Sequence, residues 1–316
     1  MSARRVLVLG GTGFVGRHLA ACLDARGHRV TVLSRNRERH RELQVLPRVS
    51  VLNGDPYDGA CLARHLAGAD VAVNLVGILN EAGSGGQGFH RAHVELTATL
   101  IAAMKQAGVA RLVQMSALNA GQGGSQYLET RGEAEALVRA SGLRATIVQP
   151  SVIFGRGDGL FCRFATLLGM MPLVLPLARA NARFAPVFVG DVAEAMARIV
   201  DDPHTVGKTF QLYGPDTYTL GELVRMTRDA LGRRTAIVPL PDGLGYLQAW
   251  AGEWIPGKPI SRDNFRSLAL DSVGTEDGLQ ALGVVPARVV PGLPRVLGAD
   301  PHQASLDRAR AARHAG

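Results

Sequence analysis

Apolar positions in the first half of the chain follow two alternating rhythms. Short continuous runs, such as 4–9 (RRVLVL) and 29–33 (RVTVL), read as buried strands, and similar runs follow at 49–52, 70–76, 110–115 and 145–149. Between them, apolar residues recur with helical spacing. In 14–26, Val15, Leu19 and Leu23 share one face, and further helices are predicted at 56–66, 89–107 and 127–141. Strands alternating with helices of about 10–15 residues predict βαβ units and a parallel sheet covered on both faces. The expected fold class is therefore α/β, a Rossmann-type doubly wound parallel sheet with a smaller, partly interleaved C-terminal region.

After Pro150 the rhythm loosens. Residues 151–183 hold a Gly-rich loop (FGRGDG) and an apolar stretch broken by Pro172 and Pro176. Residues 187–201 return to a strand-then-helix pattern, followed by a strand (TFQLY), a helix at 220–231 and a strand (AIVPL). The Pro- and Gly-rich stretch 284–298 is expected to be irregular, and the Ala/Arg-rich tail mobile. The predicted organisation is a dinucleotide-binding domain at 1–150, rejoined by 184–202. A smaller region comprises 151–183 and 203–298, and a tail covers 299–316.

Composition narrows the function classes. Hydrophobic residues are 47% of the 316, enough for a sizeable core. Cys22, Cys61 and Cys162 form no CxxC pair, which argues against a disulfide framework or a cysteine zinc site and for a reducing, cytoplasmic compartment. No run reaches the ~18 apolar residues of a membrane span, the nearest (Phe164 to Ala178) being too short and interrupted by Pro172 and Pro176, and the glycines after residue 9 do not suit a signal peptide. The net charge is +8, but residues 1–50 alone carry ten Arg against Asp24, Glu38 and Glu42. A concentrated excess with few aromatics does not suit nucleic acid and does suit one compact polyanion, such as a dinucleotide.

The strongest motif is Gly10-Gly11-Thr12-Gly13-Phe14-Val15-Gly16, placed directly between a predicted strand and a predicted helix. Gly11 and Gly13 permit a tight turn and close approach to a pyrophosphate, and Gly16 permits close packing of helix on strand. The second strand ends in Ser34-Arg35-Asn36-Arg37, without the acid that holds an NAD ribose. An Arg fork there suits the 2′-phosphate, so NADP(H) is favoured over NAD(H); solvated loop arginines would leave NAD(H) open. Asp55 is a candidate partner for the adenine amino group, or a turn or cap residue. Asn74, Val76 and Gly77 follow the fourth strand, where the middle of a cofactor lies in a doubly wound sheet.

These features, with the helix beginning near Tyr127, resemble the extended short-chain dehydrogenases/reductases, or NAD-dependent epimerase/dehydratase-like proteins. The closer resemblance is to an atypical branch containing the nucleotide-binding accessory subunit of respiratory complex I and its bacterial relatives. It is carried by VLGGTGFVGRHL, NLVGIL, VQMSALNA, SQYLETRGEAEALVR, QPSVIFGRGD and GKTFQLYGPDTYTLGELV. In active members of the wider family a Tyr-x3-Lys pair works with a Ser that orients the substrate carbonyl. The resemblance places Tyr127 and Ser116 in those roles, but Arg131 stands where Lys is expected. Pro150 and Val152 match the segment that passes beside the nicotinamide.

Two readings follow from the resemblance. The first is an NADP(H)-dependent oxidoreductase or epimerase-type enzyme on an unidentified, lipophilic small molecule. The second is a non-catalytic nucleotide-binding accessory or assembly protein, peripheral to the inner membrane and linked to complex I or quinone metabolism. Arg131 favours the second, and intact Tyr127 and Ser116 the first.

Weaker signals receive structural readings. Asp191 and Glu194 fit a capping box. His90 and His93 lack companion ligands for a metal. Tyr246, Trp250 and Trp254 share one helical face, read as a core or domain-packing stripe, with a surface for a partner, membrane or greasy ligand as the alternative.

Overall fold

The computed structural model describes residues 3–81, 85–255 and 260–298. The predicted mobile tail, 299–316, lies outside the described residues. The chain opens with β1 (Arg5–Leu9), α1 (Phe14–Ala25), β2 (Arg29–Ser34), β3 (Val49–Asn53), α2 (Gly59–Leu66) and β4 (Val71–Asn74). Then come α3 (Gln87–His90), a π-helical turn (Arg91–Glu95), α4 (Leu96–Ala107), β5 (Arg111–Met115), α5 (Gln126–Ala140) and β6 (Arg144–Pro150). Next are β7 (Ile153–Phe154), α6 (Phe161–Met170), β8 (Val174–Ala178), β9 (Arg183–Phe184), β10 (Val187–Phe188), α7 (Val189–Asp201) and β11 (Thr209–Leu212). The last elements are β12 (Tyr218–Thr219), α8 (Leu220–Ala230), β13 (Ala236–Leu240), α9 (Asp242–Gly252), α10 (Arg262–Ser267), α11 (Gly278–Ala281) and α12 (Val289–Val296).

Two compact units divide the chain. The first comprises Met1–Ser151, Val189–Tyr213 and Gly274–Val285, and the second the remainder. Residues 203–213 and 274–285 were expected in the smaller region but belong to the first unit, whereas 184–188 belong to the second. The reason is β11, which pairs in parallel with β6 and completes the sheet.

The first unit carries a seven-stranded sheet in the order β11-β6-β5-β4-β1-β2-β3, parallel throughout. Its central strands are buried on both faces, as their mainly apolar sequences lead one to expect. Leu7, Leu62, Leu66, Leu100, Met104 and Val138 form one core layer from β1, α2, α4 and α5. Each such fully buried side chain contributes roughly 2 kcal/mol of transfer free energy. The strand order reverses between β1 and β4, the switch point where α/β sheets take ligands.

One polar anchor lies at the start of β5. Arg111 is buried, and its guanidinium donates to the carbonyls of Arg144 (2.9 Å) and Ile199 (2.9 Å) and to the hydroxyls of Thr146 and Thr205 (each 2.8 Å). It joins β5, β6, α7 and the turn after α7 without a carboxylate among those partners. Burial pushes the guanidinium down to about 10, so it stays charged at neutral pH. The predicted capping pair lies on α7 itself rather than ahead of it. Asp191 falls inside the first turn of α7, and the Glu194 carboxylate accepts from Arg26 (2.6 Å) and Arg198 (2.7 Å).

In the second unit, β7 pairs with β10, β9 with β12, and β8 with β13. Its core gathers Phe154, Phe161, Leu168, Leu223, Val224, Val289 and Leu293. The stretch expected to be irregular contains α12 despite Pro294. Val289, Leu293 and Val296, at i, i+4 and i+7, bury against that core, and tertiary burial outweighs the local cost of proline. The Tyr246/Trp250/Trp254 stripe is not a core stripe: these residues are 41%, 46% and 78% exposed.

Replacing Arg111 with Met strips donors from three carbonyls (Leu112, Arg144 and Ile199) and two hydroxyls in the interior. We expect a loss of about 3 kcal/mol in unfolding free energy, measured by urea denaturation. An unchanged midpoint would show that the anchor is dispensable.

Candidate functional site

The glycine turn follows β1 directly. Gly10 has φ +74°, a left-handed conformation that side chains disfavour. Its carbonyl accepts from Gly13 N–H at 3.0 Å. A Cβ at Gly16 would overlap Gly10 O and Gly11 Cα, so the first turn of α1 reaches the loop only with glycine there. Gly13 is the N-cap of α1 and offers no side-chain cap, leaving the helix-start N–H groups to an anion. Thr12, Phe14 and Val15 are partly buried in this turn and the opening of α1.

At the end of β2 the two predicted arginines differ. Arg37 Nε donates to Glu38 (2.9 Å), and Arg41 reaches the same carboxylate (3.3 Å); both contacts hold that exposed carboxyl below its usual range. Arg35 is exposed, with no hydrogen bond or ion pair among the described residues, and its charge is felt by Tyr57. Ser34 is buried and its Oγ accepts from Asn36 N–H (3.2 Å). Asp55 accepts from Tyr57 N–H (3.0 Å), which is its turn reading. Arg91 lies 4.7 Å over the Tyr57 ring.

Asn74 is buried, and its side chain is engaged by protein groups. Its amide donates to Gln114 Oε1 (3.1 Å), and its oxygen accepts from Val76 N–H (3.1 Å), fixing the chain that leaves β4. Gly77 then meets the Arg131 guanidinium so closely that a Cβ would overlap Nη2. Arg131, 6% exposed on α5, donates from Nη1 to Met115 O (3.1 Å) and Val76 O (3.4 Å). It thereby ties the outgoing ends of β4 and β5 together. Its Nε is buried without a hydrogen-bond partner, as is Ser116 Oγ just after β5. Pro150, ending β6, accepts from Leu118 N–H through its carbonyl (3.1 Å). Val152 belongs to the second unit, where its carbonyl accepts from Val187 N–H (3.0 Å).

Tyr127 is half-buried in the first turn of α5, which Ser125 caps by accepting from Leu128 N–H (3.1 Å). Its ring stands edge-on to His93 (5.6 Å) and Phe89 (6.1 Å), and Arg131 is centred 5.5 Å over it. His93 is the residue whose place the sequence reading missed. The helix predicted at 89–107 is present and runs through a π-helical turn, in which His93 is buried. His93 Nε2 accepts from Ile78 N–H (3.3 Å), which leaves the proton on Nδ1, donating to Thr130 Oγ1 (2.9 Å). Thr130 Oγ1 in turn donates to Gln126 O (2.7 Å). Burial first, and the Arg131 charge second, push His93 down to about 2. The available signal was Phe89 and His93 at i, i+4, one aromatic face aimed at α5. His90 instead contacts the Glu95 carboxylate (3.2 Å), and no cluster of metal-type ligands occurs among the described residues.

The glycine cradle, an uncapped helix start, and two orphaned polar atoms at the strand ends fit a dinucleotide with a second polar group beside it. These features define an NAD(P)-binding Rossmann protein. A family model described as NAD(P)H-binding matches residues 10–159. The chain is 30% identical to the Arabidopsis thaliana mitochondrial NADH dehydrogenase [ubiquinone] 1 alpha subcomplex subunit 9, over 89% of this chain and 74% of that one. It is 31% identical to a ceramide reductase of Caulobacter vibrioides, over 78% and 76% of the two chains. The chain thus belongs to the atypical, extended short-chain dehydrogenase/reductase family, in the branch that includes these complex I subunits. Among solved structures, dTDP-glucose 4,6-dehydratase DesIV of Streptomyces venezuelae, with NAD and TYD bound, shares the fold. Its TM-score is 0.72 at 23% identity, covering 93% of this chain and 95% of that one.

A histidine kept neutral in the fold, but protonated when unfolded, stabilises fully above its ordinary value of 6.5; that stability is lost as pH falls toward 2. Between about pH 7 and pH 5 the loss from this group reaches about 2 kcal/mol. Urea titrations at both pH values check it: His93→Gln should flatten the dependence, and parallel slopes would assign it elsewhere.

Proposed function

We propose that this chain is an NADP(H)-dependent oxidoreductase acting on a carbonyl or hydroxyl of a lipophilic small molecule. The observation that carries the reading is that Ser116 Oγ and Arg131 Nε are each buried without a hydrogen-bond partner, with the Arg131 guanidinium over the Tyr127 ring. Buried polar atoms of this kind are costly unless a ligand completes them. A bound nicotinamide supplies or accepts the hydride. In the reducing direction the Tyr127 hydroxyl gives its proton to the substrate oxygen as the carbonyl carbon gains the hydride, yielding an alcohol. Ser116 Oγ donates to the same oxygen and orients it. Arg131 offsets the negative charge left on the Tyr127 ring oxygen. The aromatic enclosure by Phe89 and neutral His93 fixes the ring. The ceramide reductase relative supports a lipophilic substrate.

The glycine turn would hold the pyrophosphate, and Gly77, Val76 and Pro150 at neighbouring strand ends would line the rest of the dinucleotide. Arg35 reads the 2′-phosphate, because Arg37 is engaged by Glu38. Replacing Arg35 with Ala should weaken NADPH binding about tenfold and leave NADH binding unchanged, measured by fluorescence titration. An equal loss for both nucleotides would point to NAD(H) instead.

One observation favours the accessory reading. Arg131 spends Nη1 on two backbone carbonyls, a structural use that an enzyme's ribose-holding Lys does not have. In that reading the nucleotide is structural and the partner is a membrane-bound respiratory assembly, with the protein peripheral to the inner membrane. The complex I relatives support it, and no helix among the described residues is long and apolar enough to cross a membrane. Tyr127→Phe separates the two. In the enzyme, NADPH oxidation with a long-chain ketone probe should fall by about 100-fold or more while nucleotide affinity holds. Turnover at the wild-type rate in the variant would remove Tyr127 from the chemistry.

A further inference from the structure

The second unit, taken by itself, displays an apolar ridge in front of basic charge. At the end of α6 and the start of β8, Met170, Met171, Leu173 and Val174 are 63%, 40%, 81% and 50% exposed. The ridge is rigidly mounted. Leu173 O accepts from Ala236 N–H (2.9 Å), and Pro172 O accepts from Thr235 Oγ1 (2.9 Å). Arg233 donates to Leu168 O, two residues behind the tip. The backbone is therefore satisfied while its large side chains point outward, an arrangement that a surface facing only water disfavours.

The two chain stretches that form and back the ridge carry charge of one sign, with Asp229 and Asp242 just beyond them. Residues 160–178 and 231–241 contain Arg163, Arg233 and Arg234 and no Asp or Glu. Arg233 and Arg234 are exposed at the strand start that holds the ridge. Apolar side chains at the tip with guanidinium groups one step behind match the depth profile of an anionic bilayer, with hydrocarbon beyond a layer of phosphates. Flexible Met side chains suit a fluid partner better than a fixed pocket. The same unit exposes Trp250 on α9 and Trp254 in the turn after it; α9 is bolted along β8 by Gln248, whose amide donates to Pro176 O (2.7 Å) and whose oxygen accepts from Ala178 N–H (3.2 Å).

We propose that the Met170–Val174 ridge, backed by Arg233 and Arg234, is a docking surface for an anionic phospholipid bilayer. The inference deepens the peripheral placement given above and uses no residue of the nucleotide site, so its failure and that of the Tyr127 assignment are read separately.

The test is flotation of the full chain with phosphatidylcholine vesicles, with and without added phosphatidylglycerol. The wild type should bind the anionic vesicles at least ~10-fold more strongly and release them at high salt. Leu173→Asp should cut that binding about tenfold or more, and Arg234→Glu should erase the preference for anionic lipid. NADPH binding and the melting temperature should be unchanged in both, and Leu173→Ser provides a milder second variant. Weak binding to both vesicle types, or binding that survives Leu173→Asp, overturns the proposal. Self-association lost in Leu173→Asp, without vesicle binding, overturns it too and assigns the ridge to a second copy of the chain.

Discussion

Strand β5 carries a buried guanidinium at each end, and the first unit is organised around that constraint. Arg111 opens the strand, and Arg131 grips the carbonyl that ends it. No carboxylate is among the hydrogen-bond partners found for either. Backbone carbonyls and threonine hydroxyls provide the solvation instead, so neighbouring strand ends must converge on each cation. A buried charge left without partners is far more costly than any single contact it makes. The convergence is thus enforced, and it sets the spacing of those strand ends.

At the Arg131 end the polar web continues. Ile78 donates to His93, His93 to Thr130, and Thr130 to the start of α5, two turns of which carry Tyr127 and Arg131. The chain leaving β4 and the helix bearing the candidate chemistry are therefore coupled through one neutral imidazole. Gly77 belongs to the same device, since only a residue without Cβ leaves room for the guanidinium. Arg131 is in this sense a replacement for Lys with its own structural consequence, whichever of the two functional readings holds.

The second unit meets different demands. Its sheets are two-stranded ribbons, which are marginal alone and depend on helices packed against them. Phe154, Phe161 and Leu223 supply that packing, while Gln248 satisfies the β8 edge with a side-chain amide. What stays outside this core is unusually apolar, and it is concentrated at α9 and at the junction of α6 with β8.

The sequence by itself determined the alternation of strands and helices, the parallel sheet, the glycine turn at residues 10–16, and the candidate set of Tyr127, Ser116 and Arg131. These are local: continuous apolar runs, helical spacing and a turn only glycine makes are each written within a few residues. Tertiary structure decided what depends on partners distant in the chain. It placed β11 beside β6, made a helix of 289–296 despite Pro294, and set a π-helical turn ahead of α4, in which His93 is buried. It set Arg37 against Glu38 and left Arg35 open, and it turned the Tyr246–Trp254 stripe outward. Those outcomes follow from burial and from the need to satisfy buried polar groups, and neither is fixed until the distant segments meet.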